Sequence, residues 1–584
     1  MRRKYVFFAV SLLAALTANA QETYENAKLT GEDLNGTARY VGMGGAMEAL
    51  GADISTIGTN PAGLGLFRHS SVSISGGLLM QAGGKEFANG NKTNPSFDQI
   101  GGVYTTRTGQ KSFLNFGFNY HKGKNFDHIL NASGLLDGSS QNKQSYLKGA
   151  LGEEGAGGFN VRPKGVLGEE GAGGFNVHPK GALGEEGAGG FNVPPNPKGN
   201  NENIGYVNGT SNETAYTWSQ ADYLYWNTLI PDVNQGGRAY AYDGQSYEFN
   251  RKQTGYISNY DFSVSGNLND RVYLGLTFGL KDVHYKAYSE YTEMWTGDLG
   301  GVRYTNDQKI TGTGFDVTAG VIVRPVAESP FRIGAYVKTP TWYDLTTENS
   351  TSINYSLKPG AGGTYTQGSI GNSYDYKIWT PWKFGFSLGH TVGNYLALGA
   401  SYEYEDYSHI NSRINDGGYY DYYYDEYYSS SSPDKKMNTH TKRALKGVST
   451  LKLGVEYKPV TNLALRAGYN FISAAYGSEA QKDTTVPSLG TSYTSTTDYT
   501  NWKGTNRVTL GIGYQIQKFN INLAYQYSAQ EGDFYPFSTM RNVSVPTTDP
   551  VTGKTTNEIV SNIASGTKVK NYKSQLLLTL GYRF

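Results

Sequence analysis

Near the end of the chain, Phe519 to Tyr527 alternates strictly: Phe519, Ile521, Leu523, Tyr525 and Tyr527 fall on one face, Asn520, Asn522, Ala524 and Gln526 on the other. A period of two marks a β-strand, because successive side chains point to opposite faces. The same alternation recurs at Leu114 to Tyr120, Val272 to Lys281, Leu396 to Tyr404, Leu451 to Tyr457, Leu463 to Phe471 and Val508 to Tyr514. One such segment fits a strand of a soluble sandwich equally well. Taken together, the segments do not. They run about nine to eleven residues, the length that crosses a bilayer at a tilt, and tyrosines collect at their ends, where aromatic girdles sit. Their polar face carries glycine, asparagine and charges such as Lys452, Glu456 and Arg466. A lumen tolerates these, whereas a lysine or arginine facing lipid at mid-membrane costs about 2 to 4 kcal/mol.

The expected fold is therefore all-β: a transmembrane antiparallel barrel of about fourteen strands. They start near Ser71, Phe97, Phe113, Tyr256, Arg271, Gly312, Phe331, Lys383, Tyr395, Val448, Leu463, Arg507, Phe519 and Ser574. Short turns, such as Thr108 to Lys111, Asn267 to Asp270 and Ile516 to Lys518, alternate with long polar connections. That asymmetry predicts periplasmic turns, extracellular loops and both mature termini in the periplasm. A mean hydropathy of −0.50 fits a barrel with a polar lumen, and 76 glycines with 48 tyrosines favour strands over helices.

Export is legible at the N-terminus. Arg2, Arg3 and Lys4 precede an apolar run from Val6 to Leu16 and the small-residue site Ala18-Asn19-Ala20. Residues 1–20 read as a signal peptide, the mature chain beginning near Gln21, because the run is about a dozen residues where a spanning helix needs roughly 20. With no cysteine, the chain has no disulfide, thiolate metal site or lipidated N-terminal cysteine. Fifty-one basic residues against 50 acidic ones give no global field for nucleic acid. At the other end Leu576, Leu578, Leu580 and Tyr582 alternate up to a terminal Phe584. This is similar to the C-terminal signal read by the barrel assembly machinery, with Tyr582 and Phe584 as its key residues.

Two biased segments fall in expected outer loops. Residues 148–198 hold three near-identical units of period 16, from Lys148, Lys164 and Lys180, too glycine-rich and apolar-poor for a solenoid core. Their Gly-Glu-Glu-Gly clusters lack the spaced ladder of a calcium loop. Tyr419 to Tyr428 crowds rings onto both faces, which suits a loop tip or a stacking surface better than a barrel strand.

Between the signal and the first strand runs a glycine-rich stretch from Gly36, then Ala52-Asp53-Ile54-Ser55-Thr56 and the motif Asn60, Pro61, Ala62, Gly63. This resembles the N-terminal hatch of the FadL/TodX family of outer-membrane transporters of hydrophobic compounds. The resemblance implies a hatch over residues 21–70 that plugs a fourteen-strand barrel over 71–584, and a cargo of long-chain fatty acids or similar molecules bound among the outer loops. It further implies hatch rearrangement and lateral exit to outer-membrane lipid through a gap near a kinked third strand, where Gly117 is the candidate kink. No enzyme activity and no cofactor are expected, in the outer membrane of a Gram-negative bacterium. Three alternatives stand beside this reading: hemin uptake through His121 and His128, a barrel hydrolase around His390, and a non-transporting surface adhesin.

Overall fold

The structure is a computed structural model that describes residues 21–155, 176–177, 191–192, 219–226, 228–232, 238–357, 364–421, 423, 426–483, 485–548, 552 and 554–584. The expected signal peptide and most of the repeat tract lie outside the described residues. Fourteen antiparallel staves close into a barrel: β1 (Ser71–Ala82), β2 (Thr93–Arg107), β3 (Phe113–Asn125, resumed as His128–Leu135), β4 (Gly244–Leu268), β5 (Val272–Trp295), β6 (Gly300–Val323) and β7 (Arg332–Lys338, Trp342–Leu357). They continue as β8 (Thr364–Trp379, Lys383–Val392), β9 (Leu396–Asp406, Asn411–Asp421), β10 (Glu426–Pro433, Gly447–Val460), β11 (Leu463–Ile472), β12 (Tyr499–Ile516), β13 (Phe519–Tyr535) and β14 (Thr567–Arg583). Closure comes from β14 pairing with β1, Tyr582 opposite Val72 through Ser574 opposite Met80.

Each expected strand lies within a stave, but most staves run further outward than the alternation shows. On β5 the reason is plain. From Leu274 to Leu280 the outward residues are Leu274, Leu276, Phe278 and Leu280, all exposed, while Tyr273, Thr277 and Lys281 point inward and are buried. From Val283 upward the chemistry inverts: Val283, Tyr285, Tyr291 and Trp295 are buried inside, and His284, Lys286 and Glu290 face out. The ladders to β4 and β6 run without a slip across this point, so the facing is unchanged and only the residues trade places.

An outward apolar band belongs in hydrocarbon, and an outward polar wall with an apolar interior belongs in water. The band circles the barrel through Phe262 and Val264, Phe384 and Phe386, Leu510 and Ile512, and Leu576, Leu578 and Leu580. Above it Tyr247, Phe249, Trp295, Tyr355 and Phe534 build an aromatic core inside the wall. Helix α4 (Gln220–Trp226) joins that core through Leu224 and Tyr225 and is tied to helix α3 (Gln141–Gly155) by an ion pair between the fully buried Lys148 and Asp222. Lys148, the first repeat residue, is thus part of the folded cap.

Residues 21–70 occupy the lumen. The C-terminus stays at the short-turn rim, where the Phe584 N–H bonds the carbonyl of Ser70 at 3.0 Å. The other end differs from expectation. Gln21 is buried high in the barrel, accepting from the Tyr374 hydroxyl at 2.8 Å and bonded to Ser412, both in the outer parts of β8 and β9. The two ends of the described chain therefore lie at opposite levels. Turn lengths orient strands, but the aperiodic hatch carries no such cue.

Candidate functional site

Short helical pieces held by side-chain caps give the hatch its shape: α1 (Thr23–Leu29), α2 (Ala38–Gly42) and two 3-10 turns, Ile54–Gly58 and Pro61–Leu66. Thr37 caps α2 by accepting the Tyr40 N–H at 3.1 Å and donates to Asp53 at 2.8 Å. Asp53 in turn caps the first 3-10 turn, accepting from Ser55 N–H at 3.0 Å. These loops of polar satisfaction let a segment without a sheet or long helix stay ordered.

Asn60 of the sequence motif is fully buried, caps the second turn through the Ala62 N–H at 3.2 Å and donates to the Val321 carbonyl at 3.3 Å. Pro61 sits at the first position of that turn, where its missing N–H costs nothing. Gly63 packs on Thr56, a Cβ there falling 2.6 Å from Oγ1. The motif wedges against three glycines of the wall: a Cβ on Gly275 would lie 2.3 Å from the Pro61 carbonyl carbon, one on Gly320 2.1 Å from Asn60 Oδ1 and one on Gly334 3.0 Å from Asn60 Nδ2. Further round, Gly389, Gly399, Gly454 and Gly468 sit directly opposite one another on four adjacent staves and receive the hatch backbone from Met43 to Leu50. Sequence reasoning placed these glycines on the polar face without finding the row. Its trace was an inward glycine near the middle of each strand.

Charge holds what the glycines admit. The hatch residue Glu48 meets Lys452 at 2.8 Å, which also binds Glu403 at 2.6 Å; Arg39 meets Glu456 at 3.0 Å, and Glu32 lies 3.1 and 3.0 Å from Lys281 and Lys338. Burial raises the Glu32 carboxyl, but the ammonium groups of Lys338 and Lys281 outweigh it and hold it well below the usual range. Such a seam separates without exposing a greasy face, unlike an apolar one.

Above the hatch lies a cavity of about 400 Å³. A second space of about 280 Å³ opens below, lined by Arg39, Asp53, Glu456 and Arg466, and shares no lining residue with the first. The upper cavity reaches the wall at Leu79, Ser96, Asp98 and Lys122, where the barrel is incomplete. Gln99 opposite His121 is the last pair between β2 and β3; beyond it β2 pairs only with β1, and β3 shifts register between Lys122 and Lys124 before resuming at His128 against β4 alone.

Hatch residues satisfy the backbone groups this break would orphan. The Asp33 N–H donates to the Gly123 carbonyl at 2.7 Å, Asn35 Nδ2 to the Lys122 carbonyl at 3.1 Å, and the Asn125 N–H to the Asp33 carboxylate at 3.0 Å. Asn35 also donates to Asp98 at 3.0 Å, and Lys124 to the Thr30 carbonyl at 2.7 Å. Residues 30–35 thus stand where β2 would otherwise pair. Gly117 lies elsewhere: regularly paired with Val103 and Ser263, it makes room for the hatch, a Cβ falling 2.7 Å from Leu64 Cδ1. The visible trace of the break was the lapse of alternation at Lys122-Gly123-Lys124.

The cavity wall is cation-rich. Among the described residues Lys124 forms no ion pair, Arg507 meets Asp33 at 3.3 Å and donates to Asn470 at 3.2 Å, and the Lys573 ammonium makes no hydrogen bond or ion pair. His121 and His128 both line the cavity, in different settings: His121 beside Asp261 at 3.4 Å and Asn259 at 3.1 Å, His128 edge-on to Trp502. His390 packs near Phe331 at the short-turn end of β8, away from that cavity. Tyr582 meets Phe519 at a tilt and Phe584 edge-on at the rim. Among the described residues no cluster of three or more metal-ligating side chains occurs.

No family model matches the sequence, and no curated protein matches it. Among solved structures the chain is similar to the toluene transporter TbuX of Ralstonia pickettii, at 12% identity over 94% of this chain and 99% of that one with a TM-score of 0.44. It is similar to a Pseudomonas aeruginosa FadL homologue, at 11% identity over 95% and 99% with a TM-score of 0.45. The toluene transporter TodX of Pseudomonas putida aligns at 10% identity over 95% and 98% with a TM-score of 0.39.

Proposed function

We propose that this protein is an outer-membrane transporter of the FadL/TodX kind, not an enzyme, which takes hydrophobic small molecules, long-chain fatty acids or similar, inward. Export removes residues 1–20, so that the chain in the membrane starts at Gln21. Cargo enters through the outer loops into the upper cavity, displaces hatch residues 30–35 and leaves sideways through the break in β3 into the bilayer.

The observation that carries this reading is the coincidence of cavity, wall break and hatch at Lys122 to Asn125. Lateral exit suits the cargo: sending an alkyl chain through water costs about 0.8 kcal/mol per CH₂, a cost that passage into lipid avoids. The hatch with its charged seam stands across the straight path downward. The cations around Lys573 suit a cargo with an acidic head rather than a bare hydrocarbon.

Because the chain has no cysteine, a disulfide between Asn35→Cys and Asp98→Cys is the sole one that can form in the variant. With the pair oxidised, uptake of a long-chain fatty acid in cells falls to that of cells lacking the protein; reductant restores it. Normal uptake by the locked barrel sinks the lateral route.

A further inference from the structure

On the outer wall several cations face acids on the adjacent stave. Lys309 meets Glu348 at 2.9 Å, Lys377 meets Asp344 at 3.4 Å, and Arg303 pairs with Glu290. Helix α5 (Lys435–Ala444), between the two pieces of β10, departs from that arrangement. Lys435, Lys436, Lys442, Arg443 and the following Lys446 are all exposed. Among the described residues only Arg443 of these five forms an ion pair, with Asp483 at 3.9 Å.

Local helix energetics do not account for the set. Lys435 and Lys436 occupy the first turn, where the helix dipole disfavours cations, and the five like charges repel one another. Placement supplies the reason. The opposite face of α5 is held by the hatch: the Thr23 hydroxyl meets His440 Nδ1 at 2.8 Å and Thr441 Oγ1 at 2.9 Å, and Met437, His440, Thr441 and Ala444 are buried. With that face turned to the lumen, the lysines turn away from it.

The helix also ends at the height where the apolar band stops. Tyr404, the last exposed ring of the outward row on β9, lies opposite Ser449. Lys446 precedes Ser449 by three residues. That is about 10 Å of strand and, at a tilt of about 40°, about 8 Å of height, the depth of one headgroup layer.

We propose that the outward face of α5 binds the phosphate groups of outer-leaflet lipid headgroups. Four of its five cations are lysines, compact point charges suited to phosphate oxygens. A basic cluster on an amphipathic helix beside the bilayer holds anionic lipid through the summed attraction of its charges. The lipid supplies the counter-charge that the described wall withholds here. This concerns the membrane and not the cargo, so it stands or falls independently of the transport reading.

The full barrel is reconstituted into vesicles of equimolar phosphatidylcholine and phosphatidic acid with identical acyl chains and extracted in mild detergent. The lipid it keeps is then quantified by mass spectrometry. Retained lipid should favour phosphatidic acid by about ten-fold or more at low salt, and the preference should fall as ionic strength rises. The set Lys435→Gln, Lys436→Gln, Lys442→Gln and Lys446→Gln should bring the ratio back towards parity. Neutralising four other exposed lysines, Lys85→Gln, Lys286→Gln, Lys568→Gln and Lys570→Gln, should leave it unchanged.

No preference in the wild type overturns the proposal and leaves the face to an acidic macromolecule above the bilayer. An equal loss in both glutamine sets overturns it too, since net charge alone then explains the retention. The charge-keeping set Lys435→Arg, Lys436→Arg, Lys442→Arg and Lys446→Arg should retain the preference. Its loss there would mean that disturbing the helix, not removing its charge, was measured, and the proposal would fall.

Discussion

The lower and upper parts of β5 are one strand whose ladders run without a slip from Val272 to Met294, yet they are built to opposite rules. Below, Leu276 and Phe278 face out and Lys281 faces in; above, Lys286 and Glu290 face out and Tyr285 and Trp295 face in. Alternation reports that a strand has two kinds of face. Which face is apolar depends on the medium outside, hydrocarbon below and water above. The inversion between Leu280 and Val283 thus marks where the bilayer ends on this stave.

The comparison breaks most visibly in the upper interior. Trp295 stacks on Tyr242 with centroids 4.1 Å apart and donates to Glu293 at 2.9 Å. Trp295→Ala should cost about 3 to 5 kcal/mol, by cavity formation and by taking a donor from a buried carboxylate. Urea unfolding of the barrel in lipid vesicles reads it; a loss below about 1 kcal/mol would mean the upper wall is no true core. Second in size is Leu276→Arg, on the lower outward face, at about 2 to 4 kcal/mol by the same measurement. A neutral result there removes Leu276 from hydrocarbon.

How much of this was legible follows from the same contrast. The lower strands were read correctly because Leu114 to Tyr120 or Val508 to Tyr514 have a lipid-facing row that nothing but alternation explains. The outer extensions of β4 to β6 were missed: Tyr288 and Met294 face out while Glu293 faces in, so polarity no longer tracks the face. In the hatch, Asn60 to Gly63 stood out by resemblance, but its role as a capped turn against Gly275, Gly320 and Gly334 needs partners more than 200 residues away, as the Asn60–Val321 bond illustrates with a separation of 261. The break at Lys122 leaves no more in the sequence than a lapse of alternation, for a related reason: its evidence is a missing pairing, and the hatch residues Asp33 and Asn35 that replace it lie about 90 residues earlier, 92 in the Asp33–Asn125 bond.

A charge sharpens the comparison next. Glu293 lies above the band, bonded to Tyr291, Trp295 and the Gln141 N–H at the start of α3. Burial pushes its carboxyl up to about 7, against the pull of those three donors. From the ordinary value of 4.5 to about 7 the seated residue keeps a proton that the released one has lost, so the cap loses stability as pH rises through that window and is level above it. Protease cleavage within α3 should increase between pH 5 and 7, by less than the Trp295 effect, and Glu293→Gln should flatten the curve. Equal cleavage across that range in the wild type would place Glu293 in contact with water.

The smallest effect is the most diagnostic. Lys286 faces out on β5, ten residues above Leu276 on the same face, and its ladder neighbours are Thr254 and Lys309. If the wall here stands in water, Lys286→Leu changes stability by no more than about 0.5 kcal/mol, since it leaves a solvated site and removes one like-charge neighbour. If hydrocarbon reached this level, the same change would stabilise the barrel by several times as much, because a lysine would be leaving lipid. Urea midpoints of Lys286→Leu and Leu276→Arg in the same vesicles therefore bracket the edge of the bilayer along one strand, and equal magnitudes would erase the boundary drawn between Leu280 and Val283.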